Sequence, residues 1–318
     1  MRTVGVSGAG VMGEGIARVC LQAGLDVRLH DVDSPRVARI VRELAFPPRR
    51  LRAVNSCGEF SGTDLVIEAI PEDLPLKRRW LMDVEPTLPP SIVVATNTSS
   101  LPLASLAPSL RHPERFCGLH FCHPVTQRPL LEVVRGMHTS TDALSSASTF
   151  ARDIGKTPII VGDSPGFVLN RLLSLYLTEA LELLLEGTEH RVLDEVAAGL
   201  GMPLGPLQQL DAFGLELALS VGRQLWKAFP DRWLPSELLI ALCKAERRNE
   251  FGNCGLYADT EPDDPANQSR CLHPRAAQIL QERQRRLSQL TRLEVERRLW
   301  LPLLLEATRI LEAGLVRR

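Results

Sequence analysis

The chain has 318 residues, 44% hydrophobic and 24% charged, with a formal net charge of -1, the make-up of an ordinary soluble globular protein large enough for two domains. That balance excludes a global electrostatic pull toward nucleic acid or an anionic membrane surface, so any steering must come from local patches. Seven cysteines, an odd number without a CxxC pair or zinc-like spacing, argue against a disulfide scaffold or a metal site; with no signal-like or long uncharged apolar run, a reducing cytoplasm is the expected setting.

Residues 2–7, RTVGVS, read as a short strand that runs straight into Gly8-Ala9-Gly10-Val11-Met12-Gly13 and a helical pattern through Ile16, Ala17, Val19, Cys20 and Leu21. Strand, glycine turn and helix follow in the order of a dinucleotide site. Gly8 allows the tight turn, Gly10 lets backbone approach a pyrophosphate, and Gly13 lets helix and strand pack closely, with the helix N-terminus at Val11 and Met12 facing the anion. A second strand, Asp26 to His30, ends in Asp31, the acidic residue expected about 20 positions on to grip a ribose 2′-hydroxyl. With Asp31 and Asp33 present a 2′-phosphate would be repelled, so the spacing predicts NAD rather than NADP.

A helix is predicted over Ser34 to Leu44, with Pro35 in its first turn, followed by a basic loop, Pro47 to Arg52. Its arginines, Arg49, Arg50 and Arg52, are either simply solvated or meet a phosphate. Asp64 to Ile70, nearly continuous in apolar residues, reads as a strand buried on both faces of a parallel sheet; it delivers Glu68 and Glu72 toward the sheet edge where ligands of such folds bind. A helix carrying Lys77 follows, then a strand, Ser91 to Thr96, and the turn Asn97-Thr98-Ser99-Ser100. On local grounds that turn is equally a helix cap or a functional loop.

Phe116 to Phe121 and Leu130 to Val134 form two halves of a hairpin joined by a Pro-bounded loop, His123 to Pro129. His120 ends one strand and Glu132 interrupts the other. A carboxylate inside an apolar strand is costly unless paired, and an imidazole across the hairpin would both pair it and be oriented by it. The pair is therefore a candidate general base with its orienter, or a satisfied core ion pair. Cys117 and Cys122 flank His120, but one histidine between two cysteines is not a metal site. A helix from about Thr141 to Ile154, stopped by Gly155, and a strand, Thr157 to Val161, close the alternation. Everything after Asp163-Ser164-Pro165-Gly166 is helical in pattern. Phe167 to Glu186 is apolar around most of its girth, which requires burial on several sides, and Asn170 in its first turn needs buried partners. The expected division is 1–165 for the nucleotide-binding part, 166–257 for a helical part, and 258–318 for a helical extension whose residues 258–270 read as polar loop.

Taken together, GAGVMGEGIA, DLVIEAIPED with Lys77, TNTSSL, the GLHF and LLEVV hairpin halves, DSPGFVLNRLL and MPLGPLQQLDAFGLE resemble, in order and over residues 3 to about 257, the 3-hydroxyacyl-CoA dehydrogenases. The resemblance implies an α/β Rossmann-type dinucleotide-binding domain followed by an all-α helical domain, NAD as cofactor, a hydroxyacyl thioester substrate and a homodimer formed through the helical domain. It makes His120 the catalytic base and Glu132 its partner. Ser99 and Asn170 would hold the substrate oxygen and the imidazole side of the site. Glu72 and Lys77 fall on positions lining the nicotinamide ribose, and Asn97 falls near the nicotinamide. In the oxidative direction His120 would take the hydroxyl proton as hydride leaves the same carbon, while Ser99 strengthens its hydrogen bond as charge grows on oxygen.

Three departures shape the substrate expectation. Where the family reads HFFNP, this chain has His120-Phe121-Cys122-His123-Pro124, so His123, with Arg128 in the same loop, becomes a candidate for recognising a carboxylate or hydroxyl on the substrate. The segment between Asp31 and Asp64 is shorter than the helical hairpin with which the family grips CoA. A substrate carried on an acyl carrier protein needs less of that clamp, and Arg49, Arg50 and Arg52 would then face phosphopantetheine or the acidic carrier. Finally, Arg298-Leu299, Leu304, Glu306-Ala307, Leu311 and Gly314 repeat Arg171-Leu172, Leu177, Glu179-Ala180, Leu184 and Gly187 at a constant offset of 127, as the opening helix of a duplicated domain would. Its apolar face must be buried against its own first copy or a partner chain, and extending the homodimer contact is the expectation. Competing expectations are a ketoreductase acting on a polyketide β-keto intermediate, and a family fold kept as a binding protein with an idle site. The catalytic lysine motif of the β-hydroxyacid dehydrogenases is not seen.

Overall fold

Two valines alternating with small residues make Thr3–Ser7 a strand with a thin, apolar section, and this segment, β1, is the buried centre of the first layer. The computed structural model describes residues 1–247, 255–258, 271–285 and 290–316. Around β1 lie β2 (Asp26–His30), β3 (Leu51–Ala53), β4 (Leu65–Glu68), β5 (Val93–Thr96), β6 (Phe116–Phe121), β7 (Leu130–Arg135) and β8 (Thr157–Gly162). They form one eight-stranded sheet in the order β3-β2-β1-β4-β5-β6-β7-β8. All neighbours are parallel except β6 and β7, so the last two strands run against the first six. The strand order reverses between β1 and β4, which puts a crevice beyond the carboxyl ends of those two strands.

Helices α1 (Val11–Gln22), α2 (Ser34–Leu44), α3 (Leu74–Val84), α4 (Leu103–Leu106) and α5 (Thr141–Asp153) connect the strands. Their starts are written in the sequence: Asp33, Asp73 and Ser140 each accept a hydrogen bond from a first-turn backbone N–H. One core joins β1, β2, β4 to β7 and the inner faces of α1, α2 and α5, with Val4, Ile16, Leu29, Ile67 and Phe150 fully buried. The segment expected as a basic loop holds a strand instead: Leu51–Ala53 pairs with Val27–Leu29 of β2. Two of its arginines serve the fold. Arg50 pairs with Asp26 at 2.9 Å and donates to the Leu21 and Leu25 carbonyls, and Arg52 pairs with Glu59 at 3.0 Å.

The chain divides into two compact units, Met1–Phe167 with Gly314–Arg318, and Val168–Ala313. The described residues of the second unit form helices, α6 (Leu169–Leu185), α7 (His190–Gly199), α8 (Pro206–Phe213), α9 (Leu215–Ala228), α10 (Glu237–Arg247), α11 (Pro274–Arg283) and α12 (Arg292–Glu312), with an isolated antiparallel bridge between Tyr257 and Leu272. α6 packs against α8, α9, α10, α11 and α12, which accounts for its apolar girth. The tail helix α12 begins in a capping box, Thr291 with Glu294, and lies along α6 and α7 of its own chain. Of residues 258–270, all but Ala258 fall outside the described residues.

Candidate active site

Gly8 has a left-handed backbone, φ +104°, and its N–H donates to the His30 carbonyl at 2.8 Å, so the turn out of β1 is tied to the end of β2. A Cβ on Gly13 would fall 1.8 Å from the Gly8 carbonyl oxygen; only glycine lets α1 start so close to the strand. Above Gly10, by contrast, a Cβ would meet nothing within 4 Å, and the N-cap of α1 carries no side-chain hydrogen bond. Val11 is 70% exposed beside it. The first turn of α1, with Val11 and Met12, thus begins at a residue with open space beside it and no capping side-chain bond, the arrangement a pyrophosphate needs. Asp31 stands at the mouth of this turn, accepting from the Ala9 N–H at 2.6 Å and the Asp33 N–H at 2.9 Å. The residues fit a dinucleotide.

Next to this turn, across the switch in strand order, β4 ends in Glu68. Its carboxylate accepts from Lys77 Nζ at 2.5 Å, Thr96 Oγ1 at 2.5 Å and the Ile70 N–H at 2.8 Å; burial pushes its carboxyl up, against the pull of Lys77. Lys77, 1% exposed, also reaches Glu72 Oε2 at 3.4 Å and so lies beneath that residue. Glu72 in turn gathers the loop after β5. Its Oε1 accepts from Thr98 Oγ1 at 2.6 Å, Ser100 Oγ at 2.5 Å and the Ser99 and Ser100 N–H groups at 3.2 and 3.1 Å. Burial opposes ionisation of Glu72, but Lys77 and the Ser100 and Thr98 hydroxyls outweigh it and hold the carboxyl low. Asn97 closes the loop onto the hairpin, its Oδ1 accepting from the Phe121 N–H at 3.0 Å.

His120 and Glu132 are direct cross-strand partners in the antiparallel β6–β7 pair. Strand alternation therefore sends both side chains to one face, and Nδ1 of His120 lies 2.6 Å from Oε2 of Glu132. Both are buried, at 6% and 0% exposure. With Nδ1 engaged, Nε2 is the nitrogen left for a reacting group. The ring of Phe167 packs at 5.6 Å between centroids, tilted 54° to the imidazole, and does so from a left-handed backbone, φ 49°, that aromatic residues seldom adopt. The loop beyond β6 folds on itself: Gln127 and Arg128 N–H groups donate to the Pro124 carbonyl, and Arg128 Nε donates to the His123 carbonyl at 3.4 Å. Lys156, 8% exposed, donates to the carbonyls of Val125 and Arg128 from below.

Of the predicted residues, the first unit brings together the glycine turn, Asp31, Glu72 with Lys77, the Asn97–Ser100 loop and the His120–Glu132 pair. Asn170 sits in the first turn of α6, in the second unit. Sequence reasoning missed Phe167, Lys156 and the anchoring hydroxyls of Thr98 and Ser100. The only local signal was for the turn at Gly166, not for the ring that follows it. The cysteines that flank His120 are poor nucleophiles: burial pushes the Cys117 thiol up to about 12, and burial and Glu132 do the same to Cys122.

Comparison with known proteins shows the family. The family model of the 3-hydroxyacyl-CoA dehydrogenase NAD binding domain matches residues 3–47 and 43–164, and that of the 3-hydroxyacyl-CoA dehydrogenase C-terminal domain matches 166–258. The fatty acid oxidation complex subunit alpha of Acinetobacter baumannii is 31% identical over 295 residues, 86% of this chain but 41% of the relative, so the chain spans about two-fifths of that protein's length. The crystal structure of (S)-3-hydroxybutyryl-CoA dehydrogenase from Ralstonia eutropha is 33% identical with a TM-score of 0.72, covering 77% of this chain and 94% of its own. The 3-hydroxybutyryl-CoA dehydrogenase of Escherichia coli shares the fold over 99% of this chain and 86% of its own, at 23% identity and a TM-score of 0.79. The chain belongs to the 3-hydroxyacyl-CoA dehydrogenase family, a family of NAD-dependent oxidoreductases, and carries both the NAD-binding and the C-terminal domain of that family.

Proposed function

We propose that the chain oxidises the hydroxyl of a 3-hydroxyacyl thioester to the 3-oxo group, with His120 as general base. The observation that carries this is the 2.6 Å contact from His120 Nδ1 to Glu132. A carboxylate there fixes the tautomer with Nε2 unprotonated and stabilises the imidazolium formed once Nε2 has taken the hydroxyl proton. NAD bound at the glycine turn supplies the hydride acceptor. Gly8, Gly10, Val11, Met12 and Gly13 would hold its pyrophosphate, Asp31 the adenine-side ribose, and Glu72, backed by Lys77, with Asn97 the nicotinamide side. Ser99 and Asn170 are assigned to the substrate oxygen and imidazole side, and His123 and Arg128 to the acyl group. Run in reverse, the imidazolium returns the proton to a carbonyl, which is the ketoreductase reading with the same residues.

For the carrier, the family supports CoA, and the short stretch between Asp31 and Asp64, here only α2, β3 and a 3₁₀ turn, supports a carrier-protein thioester. The internal ties of Arg50 and Arg52 leave Arg49, which is exposed, as the arginine of that run to meet a phosphopantetheine. Rates with matched CoA and carrier-protein thioesters decide between the two. A homodimer, implied by the resemblance, would have to use a face other than the one α12 occupies on α6. Among the described residues no helix is long and apolar enough to cross a membrane, and a cytoplasmic setting is the proposal that fits the cysteine usage. His120→Ala should lower kcat by about 10²–10⁴ and leave NADH binding, read by fluorescence, intact. Turnover at the unmodified rate would remove the base from this reading.

A further inference from the structure

The loop after β6 carries two donors that the fold itself does not use. Among the described residues, every arginine that is not exposed pairs with a carboxylate, apart from Arg28, which donates to the Glu59 carbonyl, and Arg128. Arg128 is half-buried, yet its one hydrogen bond to a described residue is the 3.4 Å contact from Nε to the His123 carbonyl, so both terminal nitrogens of the guanidinium lack an acceptor there. His123, also half-buried, makes no hydrogen bond or ion pair through its ring to any described residue. A guanidinium partly withdrawn from water without a counter-charge is destabilising, so its place calls for an acid from elsewhere. Charge around the loop is unbalanced in the same sense. Arg128, Lys156 and Glu132 all act on the Cys122 thiol, and the Glu132 carboxylate is already taken by His120.

The two donors are also held in place before any ligand arrives. Lys156 donates to the carbonyls of Val125 and Arg128, the Pro124 carbonyl takes the Gln127 and Arg128 N–H groups, and Val125 is buried. A Cβ on Gly15 would fall 2.9 Å from that valine, so the loop lies directly on α1, the helix of the nucleotide turn. Donors fixed in advance bind an anion without having to order a loop first. His123 follows His120 by three residues, at most about 11 Å of extended chain. An acid group that reaches it therefore sits only a few carbons from the carbon that gives up hydride.

We propose that His123 and Arg128 together bind a carboxylate at the far end of the acyl group, so that the enzyme prefers short 3-hydroxy thioesters of dicarboxylic acids; this rests on the oxidation proposed above. The full chain is assayed with NAD and 3-hydroxyglutaryl- and 3-hydroxyadipyl-CoA, each against the neutral thioester of equal length, 3-hydroxypentanoyl- and 3-hydroxyhexanoyl-CoA. kcat/KM should be about 10–100-fold higher for the diacid member, the worth of one charge-assisted bidentate contact. Arg128→Met should bring that ratio to about one, and His123→Asn should lower it by a smaller factor; general damage to the fold cancels in the ratio. Glutaryl-CoA and pentanoyl-CoA, which carry no hydroxyl and cannot react, read the same preference as binding to the NADH-loaded chain by calorimetry. Preferred binding of the diacid without turnover of any thioester would support the pair and overturn the oxidation. Equal constants for the two members in the parent, or a preference that survives Arg128→Met, overturns the proposal. So does an Arg128→Met variant that loses NADH affinity and keeps the ratio, since Arg128 would then serve the phosphates of the cofactor.

Discussion

His120 and Glu132 meet from directly opposite positions on two strands and both are buried, so a change that removes either leaves the other without its partner away from water. His120 and Glu132 could be paired from the alternation of two strands, because register alone decides that they share a face. Asp31 could be found by counting from the glycines. Glu72, expected at the cofactor, turns out to be the residue on which the Thr98, Ser99 and Ser100 donors converge, and no spacing announces four donors from a loop more than twenty positions away. This convergence has a pH signature. The Glu72 carboxyl titrates below the usual carboxylate range because Lys77 and two hydroxyls outweigh the effect of burial. The unfolded chain therefore binds that proton more tightly than the folded one, and the stability Glu72 contributes is full above about pH 4.3 and lost as pH falls through the lower folded value. Glu72→Gln should lower the Tm near neutral pH by about 2–4 °C, a modest figure because the side chain is 33% exposed. The gap to the parent should close on acidification; a gap that stays constant down the acid limb would show that the charge is not what matters.

Elements show the same division. The strands that alternate with helices were readable from apolar runs and their caps, down to the limits of α2. β3 was not, since it has three residues, two of them exposed, at the sheet edge, and its arginines read as a loop. The segment from His123 to Pro129 was recognised as a loop, yet what holds it lies just before β8. Lys156 places its ammonium against two carbonyls of that loop, and burial lowers its proton affinity. Lysine is read as surface by default, so no pattern in the chain pointed to this role. Lys156→Met fills much of the same space but leaves the Val125 and Arg128 carbonyls without a donor, at about 1–3 kcal/mol. The Tm should fall, and KM for the thioester should rise more than kcat drops, because His123 and Arg128 ride on this loop while His120 is held by Glu132. Equal losses in both constants would mean that the loop also sets the position of the base.

For the whole molecule, the repeat at a constant offset was visible in the sequence, but its meaning was not, because a one-dimensional match cannot say whether like helices meet within a chain or between chains. The structure makes the two matched ion pairs a controlled comparison. Arg171 and Glu306 are buried, at 3% and 0% side-chain exposure, with Arg171 stacked 4.9 Å from the Phe229 ring and Arg232 also reaching Glu306 at 3.1 Å. Arg298 and Glu179 are 32% and 23% exposed. Each pair joins an arginine to a glutamate across the contact of α6 with α12, but burial and neighbours differ, and Arg298 also donates to Glu186. Removing one partner of a buried pair leaves an uncompensated charge in a poor solvent, at about 3–5 kcal/mol, whereas a pair in contact with water loses about 0–1 kcal/mol. Glu306→Gln should accordingly destabilise the chain several-fold more than Glu179→Gln in denaturant unfolding at equal m, with NADH binding to the other unit unchanged in both. Equal destabilisation by the two would show that the α6–α12 contact is held by its apolar packing, with desolvation of the charges contributing little.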